Sequence, residues 1–397
     1  MLKVALDSNV SEANRLEAFR LLEEWAKPHV VDQSTGRMAP LPERTAEVIT
    51  KVLSGKVTEL VKMEGKFLEP ALDLVANYKL NLSSVDDASL KSLVESPNLP
   101  GGARSEALDL YASRKPAGLD KLLADLSVGA DDDLALGAIK RLIALSPDAA
   151  LPGLTQAVEK GSARRQQLAW KLAAPLASPA IGKLVAGQLA ATVKTGGVGP
   201  ASLELLEAAA QRKEPEVKAA LEAFTAAQKA SSDPRAAWLP SLEGGDPVKG
   251  GKIFESHPAG QCLRCHAGGH GGGDAGPNLA GVGLRGDRRY LLESLVNPGA
   301  KVAMGYGISS VTLKGGKVIG GLVVEDKPDH VDLDSSGKVL RVMRKDLQSM
   351  TPPVSSMPPM ALILSATELR DAVAWLSGNT DKKAPQKKWP APEVVKP

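Results

Sequence analysis

The sequence predicts a mainly helical protein: an N-terminal α-solenoid domain of repeated helix pairs, followed by an all-α domain with a small antiparallel β insertion. Three observations predict this class. Amphipathic helical spacing recurs over the first 240 residues with a period of about 32. A stretch rich in proline and glycine, 233–247, separates this pattern from a second helical pattern. Within the second pattern, residues 308–344 alternate between apolar and polar positions, which is typical of strands.

The N-terminal repeats have the spacing of helix pairs in four segments: 103–126, 133–160, 163–195 and 199–230. One helix pair can bury its apolar stripe only against its neighbours, so the pattern favours an α-solenoid of HEAT-like type. An irregular helical bundle of similar composition is the alternative. Prolines in 28–45 predict a loop between the first helices, and no catalytic constellation occurs before residue 240.

The composition is that of a globular protein of 397 residues and 41.5 kDa. Its formal charge of +3 argues against a nucleic-acid partner, and no apolar run reaches the length of a transmembrane segment. Aromatic residues make up only 3% of the chain. Leucine and alanine must therefore supply most of the packing in the helical repeats.

The predicted domains are a helical-repeat domain over 1–240, a second domain over 241–380 and a tail over 381–397. In the second domain, helices are expected from Pro247 and over 288–295, with a four-stranded meander over 308–344. A last helix follows Ser365, which forms a capping box with Glu368. The tail has five lysines and four prolines and is predicted to be disordered.

The only two cysteines, Cys262 and Cys265, are separated by two residues and stand directly before His266. This spacing is typical of covalent attachment of one haem c, in which each thiol bonds one vinyl group and the imidazole ligates the iron. A thioredoxin-like dithiol and a structural zinc site are the alternatives. The dithiol is expected at a strand-to-helix junction, and zinc needs four ligands. Haem is therefore the favoured cofactor.

The order of motifs over 247–378 resembles class I cytochrome c. The matching features are Gly250-x-x-x-Phe254, the Cys-x-x-Cys-His motif, Gly276-Pro277-Asn278-Leu279, Met357-Pro358 and a last helix with Asp371 to Leu376. The resemblance implies that the first helix crosses the last one at Trp375. It also implies that the carbonyl of Pro277 faces the proximal imidazole, so both residues are expected at the haem.

The sequence departs from that family at two places. Trp375 stands where a smaller tyrosine is usual, and the meander over 308–344 has no counterpart in a small cytochrome c. Together with 290–294 and Asn297-Pro298, this insertion resembles the planctomycete-type haem-binding domain. In that group, the domain often follows helical repeats and a β-propeller, and this chain contains no propeller pattern.

The sixth ligand of the iron is predicted to be Met357. It precedes a proline and lies seven residues before Leu364, which resembles the class I spacing, whereas Met360 lies only four before. Met304, Met343 and Met350 lack this context, and His257 and His270 lie too close to the cysteines to reach the opposite haem face. Arg285 is a candidate partner of a haem propionate, as are Arg288 and Arg289, with solvated surface charge as the alternative.

The expected function is single-electron transfer through a His266/Met357 haem, with electrons accepted from a dehydrogenase or another redox partner protein. The alternatives are a haem enzyme or gas sensor with a displaceable sixth ligand, and an assembly protein whose solenoid does the binding. Because c-type haem is attached outside the cytoplasm, the protein is expected to be periplasmic or extracellular. The first residues do not form a signal peptide, so the chain is expected to be processed or part of a longer precursor.

Overall fold

The computed structural model describes residues 1–28, 41–81, 83–268, 271–380 and 387–395. The chain is mainly helical, with one seven-stranded sheet, and forms two compact units, Met1–Leu184 and Val185–Pro397. No helix among the described residues is long and apolar enough to cross a lipid bilayer. The loop predicted over 28–45 falls mostly outside the described residues.

The first unit is built from helices. They are α1 (Leu2–Leu6), α2 (Glu12–Glu23), α3 (Ala46–Ser54), α4 (Val57–Val61), α5 (Leu68–Asn77), α6 (Asp87–Glu95), α7 (Gly101–Ser113), α8 (Leu119–Ser127), α9 (Asp132–Leu145), α10 (Leu151–Lys160), α11 (Ala163–Ala173) and α12 (Pro179–Thr195). The boundary between the units falls within α12. The segments predicted as helix pairs over 103–195 are each observed as two helices.

Local capping explains where several of these helices begin. The side chains of Ser11, Asp86, Asp131 and Ser162 each accept a hydrogen bond from a backbone N–H in the first turn. Such caps satisfy donors that the helix itself leaves without a partner. The buried side chains are mainly leucine and alanine, as the low aromatic content predicted.

A half-buried carboxyl group in α5 makes the first unit sensitive to pH. Burial, followed by the charge of Glu106, raises the pKa of Asp73 from 3.8 to about 7. Because the folded state binds this proton more tightly than the unfolded chain, the stabilising contribution is complete below about pH 4 and is lost as the pH rises through 7.

Asp73→Asn is therefore expected to raise the free energy of unfolding at pH 8 by about 1–2 kcal/mol, after a discount for solvent screening. At pH 4 the change should be small. Urea unfolding at both pH values measures it, with the exposed Asp125→Asn as the matched control. An equal effect of Asp73→Asn at both pH values would refute the assignment.

The second unit contains the remaining helices: α13 (Ser202–Gln211), α14 (Pro215–Ala230), α15 (Pro247–Ser256), α16 (Arg288–Val296) and α17 (Ala366–Gly378). Helix α17 packs against α15 and α16 and carries the predicted capping box of Ser365 and Glu368, which is confirmed. A buried ion pair joins α13 to α17, with Arg370 donating to both carboxylate oxygens of Glu204 at 2.8 and 3.0 Å.

Helices α13 and α14 thus lie in the second compact unit, although the sequence placed them with the repeats. The division into compact units does not show whether residues 1–240 fold as one domain. The predicted domain bounds therefore stay a prediction. The difference arises from contacts between distant segments, which leave no trace in local periodicity. Residues 236–241 pack against α13, α14 and α17, and the Glu204 to Arg370 pair joins residues 166 positions apart.

The sheet is larger than the predicted insertion. Its strands are β1 (Gly307–Leu313), β2 (Val318–Asp326), β3 (His330–Ser335), β4 (Lys338–Met343), β5 (Leu347–Met350), β6 (Val354–Ser355) and β7 (Glu393–Val394). The first four form the expected antiparallel meander. Strands β5 and β6 add to β1, and β7 pairs with β4 in parallel.

The expectation of an all-α second domain with a small antiparallel insertion is therefore corrected to a helical unit with a mixed seven-stranded sheet. Strands β5 and β6 have four and two residues and flank two prolines, so they lack a readable alternation. Within the predicted tail, residues 393–394 form β7, which pairs with β4 through its backbone, and the predicted disorder of the tail stays a prediction. Residues 381–386 and 396–397 of the predicted tail lie outside the described residues.

The crossing of α15 and α17 depends on a glycine. A Cβ atom at Gly250 would lie 2.0 Å from the carbonyl oxygen of Asp371 and 2.7 Å from Cβ of Trp375. One turn further along, the rings of Phe254 and Trp375 stack with centroids 4.5 Å apart. The helices therefore approach each other more closely than any side chain at 250 permits.

Gly250→Ala is expected to lower the free energy of unfolding by about 1–3 kcal/mol, since backbone atoms must move to admit the methyl group. Chemical denaturation of the full chain measures this loss. Gly378→Ala, at the end of α17 where a Cβ meets nothing within 4 Å, is the control and should be close to neutral. Equal stabilities of the two variants would show that the crossing tolerates a side chain.

Candidate functional site

A short 3-10 turn, Cys262–Arg264, positions the cysteines and the histidine. Its carbonyl at Cys262 accepts hydrogen bonds from the backbone N–H groups of Cys265 and His266, at 3.1 and 2.9 Å. These bonds wind the segment so that one loop presents three reactive side chains. Cys262 is half-buried, whereas Cys265 is exposed.

The glycine-rich segment that follows folds back on this turn. Gly273, Gly276 and Leu279 donate backbone hydrogen bonds to the carbonyls of Leu263, Cys265 and Ala267, at 2.7–2.8 Å. A Cβ atom at Gly276 would lie 2.6 Å from Cε1 of the His266 ring. Glycine is needed there because the backbone packs directly on the imidazole.

The imidazole of His266 is oriented by a backbone carbonyl. Its Nδ1 lies 2.8 Å from the oxygen of Pro277, which can only accept, so the proton is assigned to Nδ1 and Nε2 keeps its lone pair. Burial lowers the pKa of His266, and the hydrogen bond to Pro277 opposes this only in part. The ring therefore presents a neutral nitrogen with a fixed orientation, an arrangement typical of metal-ligating histidines.

One cavity of about 370 Å³ in the second unit brings the predicted site residues together. All seven line it: Cys262, Cys265, His266, Pro277, Arg285, Met357 and Trp375. Its other walls come from Phe254 of α15, from leucines of α16 and α17, and from the loop that precedes β1. The volume lies within the range of small-molecule and cofactor sites, and most of the lining is apolar.

The two methionines that the sequence singled out both reach this cavity but differ in burial. Met360 is 3% exposed and belongs to the core of the second unit with Leu364 and Leu369. Met357 is half-buried and only borders that core, and its backbone N–H donates to Ser355 Oγ at 3.2 Å. Met304, Met343 and Met350 are not among the residues that line the cavity.

The three candidate arginines make different contacts in the structure, and one of them lines the cavity. Arg285 lines the cavity and donates to the carbonyl of Asn278 at 2.7 Å. Arg288 instead donates to the carbonyl of Leu242, and Arg289 lies 3.8 Å from the carboxylate of Asp233. The last two stabilise the segment before α15 and do not reach the cavity.

The two histidines considered as alternative ligands have different outcomes. Nδ1 of His257 accepts a hydrogen bond from the backbone N–H of Gly260, and its Nε2 lies 3.4 Å from the carboxylate of Glu368. The side chain therefore links the end of α15 to the first turn of α17. His270 lies outside the described residues.

A zinc site at the cysteines finds no support in the geometry. Among the described residues, the one group of three metal-ligating side chains with ligand atoms within 4.8 Å of one another is Glu325, His330 and Asp332, on the sheet. Arg341 already binds Asp332 there through two hydrogen bonds of 2.8 and 2.7 Å. That group is an ion-pair network.

A dithiol redox centre is likewise disfavoured by the environment of the thiols. Burial raises the pKa of Cys262, and this lowers the thiolate fraction. Thiol–disulfide exchange needs the thiolate, and redox cysteines accordingly have lowered pKa values.

Three polar or aromatic residues of the cavity wall were not among the predicted site residues. Tyr290, Lys301 and Tyr306 all line it, and the Lys301 ammonium lies 5.5 Å from the centre of the Tyr290 ring. Burial raises the pKa of Tyr306. Lys301 and Tyr306 come from a segment without helical or strand periodicity, so no local signal could have placed them.

Comparison with known proteins gives no relative: no family model matches the chain, and no curated protein is similar to it. The predicted membership in class I cytochrome c and its planctomycete-type group, preceded by HEAT-like repeats, is therefore wrong. The fold, which joins helices to a seven-stranded sheet, also departs from it. The motifs behind the resemblance are a few residues each. They place side chains around one cavity, and they are too short to establish membership in a family.

Proposed function

We propose that the second unit binds one haem covalently and transfers single electrons. The observation that carries this proposal is the single cavity lined by both thiols, a neutral oriented imidazole and two methionines. Cys262 and Cys265 would hold the group through one thioether bond each, and Nε2 of His266 would bind its iron. When bound, such a haem supplies an iron that changes its charge by one electron.

The residues around the cavity suit a carrier rather than a catalyst. Pro277 fixes the orientation of His266, and Gly276 holds the backbone against the ring. The apolar side chains of α15, α16 and α17 exclude water, which limits the reorganisation that accompanies a change of charge. No second general acid or base is needed for this role.

Met357 is the preferred sixth ligand because it lines the cavity without being part of the buried core. Met360, in contrast, fills the core beneath α17, where moving its sulfur would leave a void. An arrangement with His266 and Met357 would raise the reduction potential relative to bis-histidine ligation and leave no open position.

The test is a potentiometric titration of the full chain after expression with haem-attachment machinery. A carrier is expected to show one reversible one-electron transition, low-spin spectra in both states and no carbon monoxide adduct. Ready binding of carbon monoxide together with peroxide turnover would favour the rival function, a haem enzyme or gas sensor with a displaceable sixth ligand. Absence of any bound haem would overturn both.

We further propose that the N-terminal helices form an α-solenoid that docks a redox partner protein. Helices two apart in the chain pack together, α5 with α7, α7 with α9 and α9 with α11. Ion pairs also join successive helix pairs: Arg141 to Asp109, and Arg164 to Asp133. A repeat protein presents an extended surface of this kind to partners. Since haem attachment takes place outside the cytoplasm, an exported location accompanies the proposal.

A further inference from the structure

The C-terminal segment 387–395, called the strap below, contacts the loop before β1 through Trp389. Gly305 has a φ of +84°, and a Cβ atom there would lie 2.9 Å from the Trp389 ring. Its backbone N–H donates to the carbonyl of Val323 in β2 at 2.7 Å. Gly305 therefore needs to be glycine both for its backbone conformation and for the close packing of the indole.

Lys387 links this contact to the loop that carries the site. Its ammonium lies 3.7 Å from a carboxylate oxygen of Asp274 and 3.5 Å from the Asp274 carbonyl. It also lies 4.7 Å from the centre of the Trp389 ring and 5.7 Å from that of Tyr306, both within the range of cation–π interactions. Asp274 stands two residues before Gly276, and Tyr306 is part of the cavity wall.

The far end of the strap is anchored on the opposite edge of the sheet. Glu393 and Val394 pair in parallel with Leu340 and Arg341 of β4. Val395 donates its backbone N–H to the carbonyl of Arg341 at 2.9 Å and packs against the apolar cluster of the sheet. The strap thus crosses from the loop before β1 to β4 and is fixed at both ends.

We propose that this strap braces one wall of the cavity from outside and thereby controls the entry of small molecules. Lys387 and Trp389 are positioning residues: they hold Tyr306, which lines the cavity, and the Asp274 loop together. The role at the iron rests on the proposed haem function, whereas the bracing of the wall does not. The Asp274 side chain is 94% exposed, so its pair with Lys387 is screened by salt and readily opened.

Hydrogen exchange of the full chain tests the bracing of the cavity wall without any haem. Trp389→Ala is expected to raise exchange about tenfold over 273–279 and 303–307, with a smaller rise for Lys387→Gln. Lys387→Arg should restore protection because it keeps the charge. The adjacent, exposed Lys388→Gln is the matched control and should leave exchange unchanged. Unaltered exchange in Trp389→Ala would refute the proposed role of the strap, whatever the protein binds.

The second measurement is the rate at which added imidazole binds the ferric haem protein in a Met357→Ala background, where displacement of Met357 does not set the rate. In this background, Trp389→Ala and Lys387→Gln are expected to speed binding several-fold, with high salt doing the same to Met357→Ala alone but not to its combination with Lys387→Gln. Equal rates of imidazole binding in all variants would refute the proposal that the strap controls entry, even if hydrogen exchange rises. If the protein binds no haem, the proposed function is refuted. Its hydrogen-exchange data still test whether the strap braces the cavity wall.

Discussion

Replacing Met357 with alanine is expected to open the iron to carbon monoxide, which the wild-type reduced protein should exclude. The thioether sulfur is the ligand that an external molecule must displace. Even an iron–sulfur bond worth only ~3 kcal/mol makes carbon monoxide bind about a hundredfold more weakly. The variant should also lose the weak near-red absorption of thioether-ligated ferric haem and have a lower reduction potential.

The control for this variant is Met360→Leu, which keeps an apolar side chain of similar volume in the core. Its spectrum, potential and carbon monoxide affinity should match those of the wild type. Met360→Ala is a poorer control, since a buried methionine truncated to alanine costs about 2–5 kcal/mol of stability. If Met360→Leu opens the iron and Met357→Ala does not, the two methionines have been assigned the wrong way round.

Replacing Glu204 with alanine is expected to lower the free energy of unfolding by about 3–5 kcal/mol, because it leaves the Arg370 guanidinium buried without its counter-ion. The two side chains are 3% and 6% exposed, and Nε of Arg370 has no hydrogen-bond partner among the described residues. Since α17 also packs on α15 and lines the cavity, the loss should weaken the site together with the fold. Urea unfolding of the full chain measures it.

Two further variants separate charge burial from simple loss of contact. Glu204→Met combined with Arg370→Met should recover most of the stability, because no charge then remains buried. Lys249→Gln breaks an exposed pair with Asp246 and should cost less than about 1 kcal/mol. A double variant no more stable than Glu204→Ala would show that the pair is not the main link between α13 and α17.

Local signals predicted the helices of the second unit and the residues of the turn. The capping box at Ser365 and the meander turns each depend on neighbouring residues, so they can be read from the chain. The same holds for Cys262, Cys265 and His266, because a single turn brings them together. Seven candidate residues line one cavity for this reason and because α15 and α17 cross at Gly250.

The parts that could not be predicted depend on contacts between distant segments. Strand β7 pairs with β4 through backbone atoms, in a stretch whose lysines and prolines indicate disorder. Trp389 packs against Gly305, and Arg370 pairs with Glu204. In both cases the partners are so far apart in the sequence that no helical or strand periodicity connects them. The family resemblance failed for a related reason: a handful of motif residues describes a cavity, whereas a family is defined by the whole fold around it.

The most direct test of the account is whether haem stays with the protein when the fold is destroyed. Full-length protein, expressed with haem-attachment machinery, is extracted with acidified acetone, and its intact mass is measured under denaturing conditions. Covalent attachment at Cys262 and Cys265 predicts colour in the protein precipitate and a mass increase of one haem, both absent from the double variant Cys262→Ser, Cys265→Ser. If wild-type haem passes into the acetone, or the mass shows no addition, the central claim is contradicted.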